Sequence, residues 1–384
     1  MENDNYSNRK MTWLLIALQV GIILISLALG YFAHQFITLY RGEFGLLRQA
    51  KDIFIDNTIF DLPSDQELEY GMIQGMLATV NDPFTYFVEP AISEVQSDAL
   101  AGQYAGIGVR LERDLDKNWR LYPFPDSPAE AAGIQDGDLL LRVDELVVSA
   151  DTDEVSLVAA LRGPEKEAVN ITIGRGGETQ TLSIDRQSVP LPTVTWNPLI
   201  ETPLIGILQV NLIAETTAEE IVKGIKDLET QGVRAFILDL RNNGGGLVEP
   251  GVEIARLFLD SGEVIHRQIK NQQPDTFRVE ELGPFADIPL VVLVNGNTAS
   301  AAEIVAGALQ AQQRSPIVGS PTFGKSTIQY IFDLQDGSTI HITSGRWWIT
   351  GQSVPLQPDY AVAEDPSGLM ARQQAVDLLR DYLD

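Results

Sequence analysis

The chain contains no cysteine among its 384 residues, and only three histidines, His34, His266 and His341. The first absence removes thiol catalysis, disulfides and thiolate metal sites together; an oxidising exterior would suit such a chain, though nothing in the absence requires one. The second leaves little material for imidazole chemistry. Basic residues are scarce too: 27 Lys and Arg stand against 53 Asp and Glu, a formal net charge of -26. Binding to a nucleic-acid backbone needs clustered Lys and Arg, so no nucleic-acid partner is expected. There is no internal repeat and no long low-complexity tract. No His-rich or paired-carboxylate motif supports a metal-dependent or carbohydrate-cleaving hydrolase.

Charge is missing altogether from one stretch, "MTWLLIALQVGIILISLALGYFAH", residues 11–34, which follows Arg9 and Lys10. About 20 apolar residues span a bilayer as a helix, whereas the apolar core of a cleaved signal is only ~7–15 residues long. The run is longer than that, and no A-x-A cleavage site follows it. The expectation is a tail at 1–10 and an uncleaved single-pass anchor at 11–37. Arg41, Arg48 and Lys51 beyond it rival Arg9 and Lys10, so flanking charge orients the anchor weakly. The short tail favours an exported body, on the extracytoplasmic side of the cell membrane.

Beyond the anchor the chain reads in three parts and as an α/β protein. Residues 43–100 carry helical spacing, as in "ELEYGMIQGMLATV", followed by the turn-like "NDPFTYFVEP". Residues 102–186 are short strands with glycine punctuation and one or two helices, a small β-rich module. "SVPLPTVTWNPLIETP" (188–203) reads as a proline-rich connector, so the next domain, 187–365, starts within 187–204. There apolar strands alternate with helical patterns: "IGILQVNLI" before "TTAEEIVKGIKDLETQG", "AFILDL" before "GLVEPGVEIARLFL", and "IPLVVLVNG" before "SAAEIVAGALQ". Such alternation argues for a largely buried sheet. A final helix is expected at 366–384.

In the small module, "GQYAGIGVRLE" is followed by "DSPAEAAGIQDGDLLLRVDE" and "TDEVSLVAALRGPEKEAVNITIGRG". A lone Gly-x-Gly is weak, but this whole succession resembles a PDZ domain of the arrangement common in bacterial proteases. The resemblance implies a loop, Gly106, Ile107, Gly108 and Val109, whose N–H groups receive a peptide's terminal carboxylate. The peptide would add as a strand facing a helix at 153–162 that presents Val155, Val158 and Leu161. Ordinary core packing is the competing role for these three.

Ser300 closes an apolar strand-like run and opens a helical one. A serine there is ordinarily a helix cap; the alternative is a nucleophile whose anionic intermediate is met by helix N–H groups. A nucleophilic serine needs a base. His266 and His341 sit in alternating, strand-like stretches without an evident acidic partner. Lysine serves instead when desolvation leaves its amine neutral, and Lys325 follows a glycine at the head of another apolar stretch. Gln329, four residues on, would share a strand face with it.

"LDLRNNGGGLVEPGVEIARLFL", "VLVNGNTASAAEIVAGALQ" and "TFGKSTIQ" together resemble the C-terminal processing peptidases, or tail-specific proteases, over roughly residues 65–360. The resemblance implies a serine endopeptidase with an embedded PDZ domain and no metal or organic cofactor. By it, Ser300 is the nucleophile, Lys325 the general base and Gln329 its orienting partner. Gly244 or Gly245, with Ala301, would supply the oxyanion-hole N–H groups, and Arg162 of "LRGP" would couple PDZ occupancy to the active arrangement. Asn297-Thr298 stands where the family more often has Gly-Ser. Implied partners are protein substrates with free C-termini and the membrane; no activating protein is named. The competing readings are a Ser300–His341–Asp239 triad and an inactive tethered PDZ scaffold.

Overall fold

The computed structural model describes residues 19–32, 44–363 and 367–383. About half of the expected anchor at 11–37, residues 11–18 and 33–37, therefore lies outside the described residues; the part inside, 19–32, is helical. Among the described residues no helix is long and apolar enough to cross a membrane. The chain divides into two compact units, 1–72 and 73–384. The first contains the helix Gly45–Asn57 and the start of Asp65–Ala78. Its chain is held back on itself by Lys51 Nζ at 3.2 Å from Asp65 Oδ1.

The second unit is organised around a six-stranded sheet in the order Val194–Leu199, Thr202–Val210, Ala235–Asp239, Leu290–Val294, Ile317–Gly319 and Tyr360–Ala361. The first pair is antiparallel and every later pair parallel. "AFILD" and "LVVLV" are buried at every position, as central parallel strands covered on both faces must be. Phe236, Leu238, Val292 and Val294 face the helices Thr217–Thr230, Val248–Phe258 and Ala301–Ala311. Ile237, Val291 and Leu293 face the helix Leu369–Arg380 through Ala371, Ala375, Val376 and Leu379. Each fully buried Leu or Val contributes ~1.5–3 kcal/mol, so the last helix belongs to the core rather than following it.

The stretch expected to be a connector, 188–203, instead forms strand. Gln187–Pro190 pairs with Gln103–Gly106, and Val194–Leu199 is the edge of the main sheet. Proline is tolerated there because an edge strand need not donate every N–H, and Pro198 stands where the register shifts. Within the helical part expected at 43–100, Tyr86–Val88 is a strand paired with 339–341 of a second sheet. That sheet, built on Thr339–Trp348, also carries Glu263–Ile269 and Thr327–Asp333.

The β-rich module has the sheet Val109–Arg113, Trp119–Pro123, Asp138–Val143, Ala168–Arg175 and Glu178–Asp185, with a helix Glu154–Leu161 capped by Asp153. Val109–Arg113 is an edge strand. It is open to addition of another strand.

Candidate active site

The strand Leu290–Val294 delivers the chain to a tight loop, 295–299, and the helix Ala301–Ala311 follows directly. Ser300 stands between them with φ 55° and ψ −120°. A non-glycine residue in that region stores about 1–3 kcal/mol and persists only where its surroundings over-determine it. The surroundings are visible. Thr298, fully buried, donates its hydroxyl to the Leu240 carbonyl and accepts the Asn295 N–H, each at 2.9 Å. Asn242 Oδ1 accepts from Asn295 and Asn297 at 2.9 and 3.1 Å. The "GNTAS" and "RNNGGG" loops are thus laced together, and Asn297-Thr298 forms part of the lacing.

Asn243, also fully buried, selects between the two expected oxyanion glycines. Its Oδ1 accepts the Gly245 N–H at 2.8 Å, while its Nδ2 donates to the Val210 carbonyl at 2.9 Å. Gly245 has therefore spent its N–H. Its role is steric: at φ 103° a Cβ would lie 2.8 Å from both the Ala299 carbonyl oxygen and Ser300 Cβ. Gly244 lines the same cleft as Ser300, with nothing within 4 Å of where a Cβ would stand. Among the described hydrogen bonds, neither Gly244 N–H nor Ala301 N–H is matched to a protein acceptor.

That cleft, of about 540 Å³, brings together Ser300, Lys325, Gln329, His341, Gly244, Phe84 and Gln96. Lys325 Nζ rests 4.5 Å from the centre of the Phe84 ring; no hydrogen bond joins it to Ser300 among the described residues. Burial holds the Lys325 amine below the usual lysine range, and the Asp82 carboxylate pushes it back up. Asp82 is fixed by the "NDPFT" turn, accepting from Phe84 N–H at 3.1 Å and the Thr85 hydroxyl at 2.7 Å. Phe84 and Asp82 were readable only as a turn, because the lysine they serve lies far along the chain.

Among the described hydrogen bonds none joins Lys325 to Gln329. Its Nε2 donates to the Thr327 and Thr343 hydroxyls, each at 3.0 Å. The strand begins only at Thr327, and its register against the partner shifts between Ile328 and Gln329. The expected shared face is lost, and the Gln329 amide is taken up within its own sheet by Thr327 and Thr343.

Neither acid nor histidine of the competing triad is arranged for it. Asp239 is paired with Arg241 at 2.6 Å in a separate polar cavity. His341 lines the cleft that holds Ser300 but stacks on Tyr86, ring centres 4.6 Å apart. Burial and the nearby Lys325 charge lower its pKa. His266 is held by the Thr276 and Thr350 hydroxyls. Among the described residues no group of three or more His, Asp or Glu could hold a metal ion.

In the β-rich module a groove of about 200 Å³ is lined by Ile107, Gly108, Val109, Val158, Leu161 and Arg162, among others. Gly108 turns the loop at φ 74°, where a Cβ would lie 2.5 Å from Ser127 Cβ. Two expected groove residues fall elsewhere. Val155, in the first turn of the helix, is 60% exposed and does not line the groove, and Gly106 belongs to the 103–106 strand paired with 187–190. Arg162 is no solvated helix end: it pairs with Asp98 and lies 4.7 Å over the Tyr104 ring. Asp98 sits on the helix Pro90–Ala101, whose Gln96, Ala99 and Leu100 line the cleft that holds Ser300 and Lys325.

Comparison with known proteins follows the same division. Residues 204–362 match peptidase family S41 and residues 123–175 match the PDZ domain. The chain is 33% identical over 321 residues to the carboxy-terminal processing protease CtpA of Bacillus subtilis, covering 80% of this chain and 68% of that protein. It is 33% identical over 323 residues to the carboxyl-terminal-processing protease of a Picosynechococcus strain, covering 80% and 76% respectively. A solved photosystem II D1 C-terminal processing protease aligns at 29% identity with a TM-score of 0.46, covering 88% of this chain and 91% of that one.

Proposed function

The chain belongs to the carboxyl-terminal processing proteases, serine peptidases of family S41 that carry a PDZ domain, and from that premise we propose a Ser300–Lys325 endopeptidase that selects substrates by their free C-termini. The observation that carries the catalytic part is the strained Ser300 at a helix N-terminus, in one cleft with a desolvated Lys325. Lys325 swings from Phe84 to Ser300, and its neutral amine takes the hydroxyl proton as Oγ attacks the peptide carbonyl. Catalytic hydrogen bonds are often long without substrate and tighten with it. The Gly244 and Ala301 N–H groups receive the oxyanion, an interaction whose loss typically costs about 10²–10³ in rate. The lysine returns its proton to the leaving amine, the acyl-enzyme forms, and water attacks it by the same path in reverse.

Tail selection is assigned to the groove of the PDZ domain. The Ile107–Val109 loop offers N–H groups to a carboxylate, the edge strand Val109–Arg113 accepts an added strand, and Val158 and Leu161 meet an apolar last residue. Arg162, at the groove's end, couples occupancy to the cleft through Asp98 and the helix that carries it. The apolar run 11–34 supports a membrane anchor with the catalytic body outside the cytoplasm.

The test is degradation of model proteins that differ only in their last residues, by wild type and Ser300→Ala. An apolar free tail should direct cleavage, its amidated form should slow it, and Ser300→Ala should be inert. Equal cleavage of free and amidated tails refutes tail selection; cleavage by Ser300→Ala refutes the nucleophile.

A further inference from the structure

One buried carboxylate bonds to the backbone of both residues assigned to the chemistry. Glu303 is the third residue of the helix that Ser300 opens, and it is completely buried. Its Oε2 accepts the Ser300 N–H and the Lys325 N–H, each at 2.9 Å. Its Oε1 accepts the Gly324 N–H at 2.9 Å and the Thr322 hydroxyl. Four donors converge on it, none a cation.

Helix capping accounts for only one of the four. In a Ser-x-x-Glu box the glutamate reaches back to its own N-cap N–H, and an exposed carboxylate would do so at less cost. A carboxylate buried without a cation is a poor stabiliser, since an apolar side chain of similar volume often serves the fold as well or better. What an apolar side chain cannot do is clamp two loops. Ser300 ends one loop and Lys325 lies in another, and Oε2 sets the spacing between their main chains.

We infer that Glu303 is a positioning residue that fixes Lys325 relative to Ser300 through their backbone N–H groups. The inference rests on the Ser300–Lys325 reading. Glu303→Gln keeps the shape but turns one oxygen into an NH2 that must face donors. The Thr322 hydroxyl can turn to accept from it, whereas the Gly324 N–H cannot. The Lys325 loop then shifts. A misplacement of about 1 Å in a catalytic pair costs on the order of 100-fold, so a partial shift should lower kcat by about 10–100-fold.

The experiment compares kcat, KM and the pH profile of kcat/KM for the full chain and for Glu303→Gln, Thr322→Val and Thr322→Ser, with Ser300→Ala and Lys325→Ala as references. Thermal unfolding is followed for each. Expected is a lower kcat for Glu303→Gln with KM and the pH midpoint unmoved. Thr322→Val should show a smaller fall of the same kind, and Thr322→Ser, which keeps the hydroxyl, should be rescued. Should Glu303→Gln fail to fold, the Thr322 pair decides by the same criterion. Wild-type kcat in Glu303→Gln, or in Thr322→Val when Glu303→Gln does not fold, with both references dead, overturns this inference alone. So does a kcat loss with a displaced pH midpoint, which would make Glu303 act by its charge. An active Ser300→Ala or Lys325→Ala overturns the reading beneath it.

Discussion

Gly245→Ala tests whether the glycine loop acts as a template for the nucleophile. The added Cβ would stand 2.8 Å from the Ala299 carbonyl oxygen, 2.8 Å from Ser300 Cβ and 3.1 Å from the Ala301 nitrogen. Carbon atoms rest at about 3.5–4.0 Å, so roughly 0.7 Å or more of overlap must be relieved. The atoms that would have to give way are the nucleophile itself and a proposed oxyanion donor. Alanine at φ 103° adds strain of about 1–3 kcal/mol. At ~2–4 °C per kcal/mol for a domain of this size, Tm should fall by about 2–12 °C. Displacing one oxyanion donor should cost about 10²–10³ in kcat. Gly244→Ala is the control: nothing lies within 4 Å of its Cβ, so its stability should change by no more than about 0.5 kcal/mol. Its methyl projects into the substrate cleft and should act mainly on KM. Steady-state kinetics on a tailed peptide, with calorimetry on both variants, provide the comparison. A Gly245→Ala enzyme with wild-type kcat would refute the reasoning, as would Gly244→Ala proving the more destabilised.

A base that works only when neutral makes kcat/KM rise with pH through its pKa, which burial holds below the usual lysine range, and flatten above it. Phe84→Leu removes a ring that favours the charged amine by about 0.5–1 kcal/mol. At 1.36 kcal/mol per pKa unit the midpoint should move to lower pH by about half a unit; an unmoved midpoint, or one displaced upward, counts against the contact. Arg162→Ala should lower turnover of a tailed protein substrate, and Asp98→Asn should alter tail dependence without changing the Ser300 reaction with a small acylating reagent. A changed acylation rate in Asp98→Asn would show that the pair serves the catalytic fold instead. Alkaline carbonate should leave the full chain with the membrane and release a form starting at residue 44; release of both would remove the proposed anchor.

Motif-borne features were legible, because the residues that matter lie close together in the chain. Ser300 announces itself as the junction of an apolar strand and a helix, and Lys325 by standing beside a glycine ahead of a strand. Glu303 passed unremarked in the sequence, because three of its four donors lie 19 to 22 residues further on. The hydrogen bonding of Gln329 was not legible for a local reason: the register of its strand shifts just before it, and two threonines take its amide. Val155 fell outside the groove because it stands in the first turn of its helix, one turn short of Val158, and helical spacing does not tell how far along the helix the pocket extends. The prolines of 188–203 looked like a linker, and only strand order reveals that Pro198 is tolerated at a sheet edge. The last helix gave no hint from its own sequence that it covers the second face of the main sheet.

The central claim is that lysine, not histidine, activates Ser300. The most direct measurement is kcat/KM of Lys325→Ala and His341→Ala on one tailed peptide, both shown to be folded. Lys325→Ala should be as inactive as Ser300→Ala, with Ser300→Ala/Lys325→Ala little worse than either, because groups that act as a unit are non-additive. His341→Ala should retain most of its activity. An inactive His341→Ala beside an active Lys325→Ala would contradict the account.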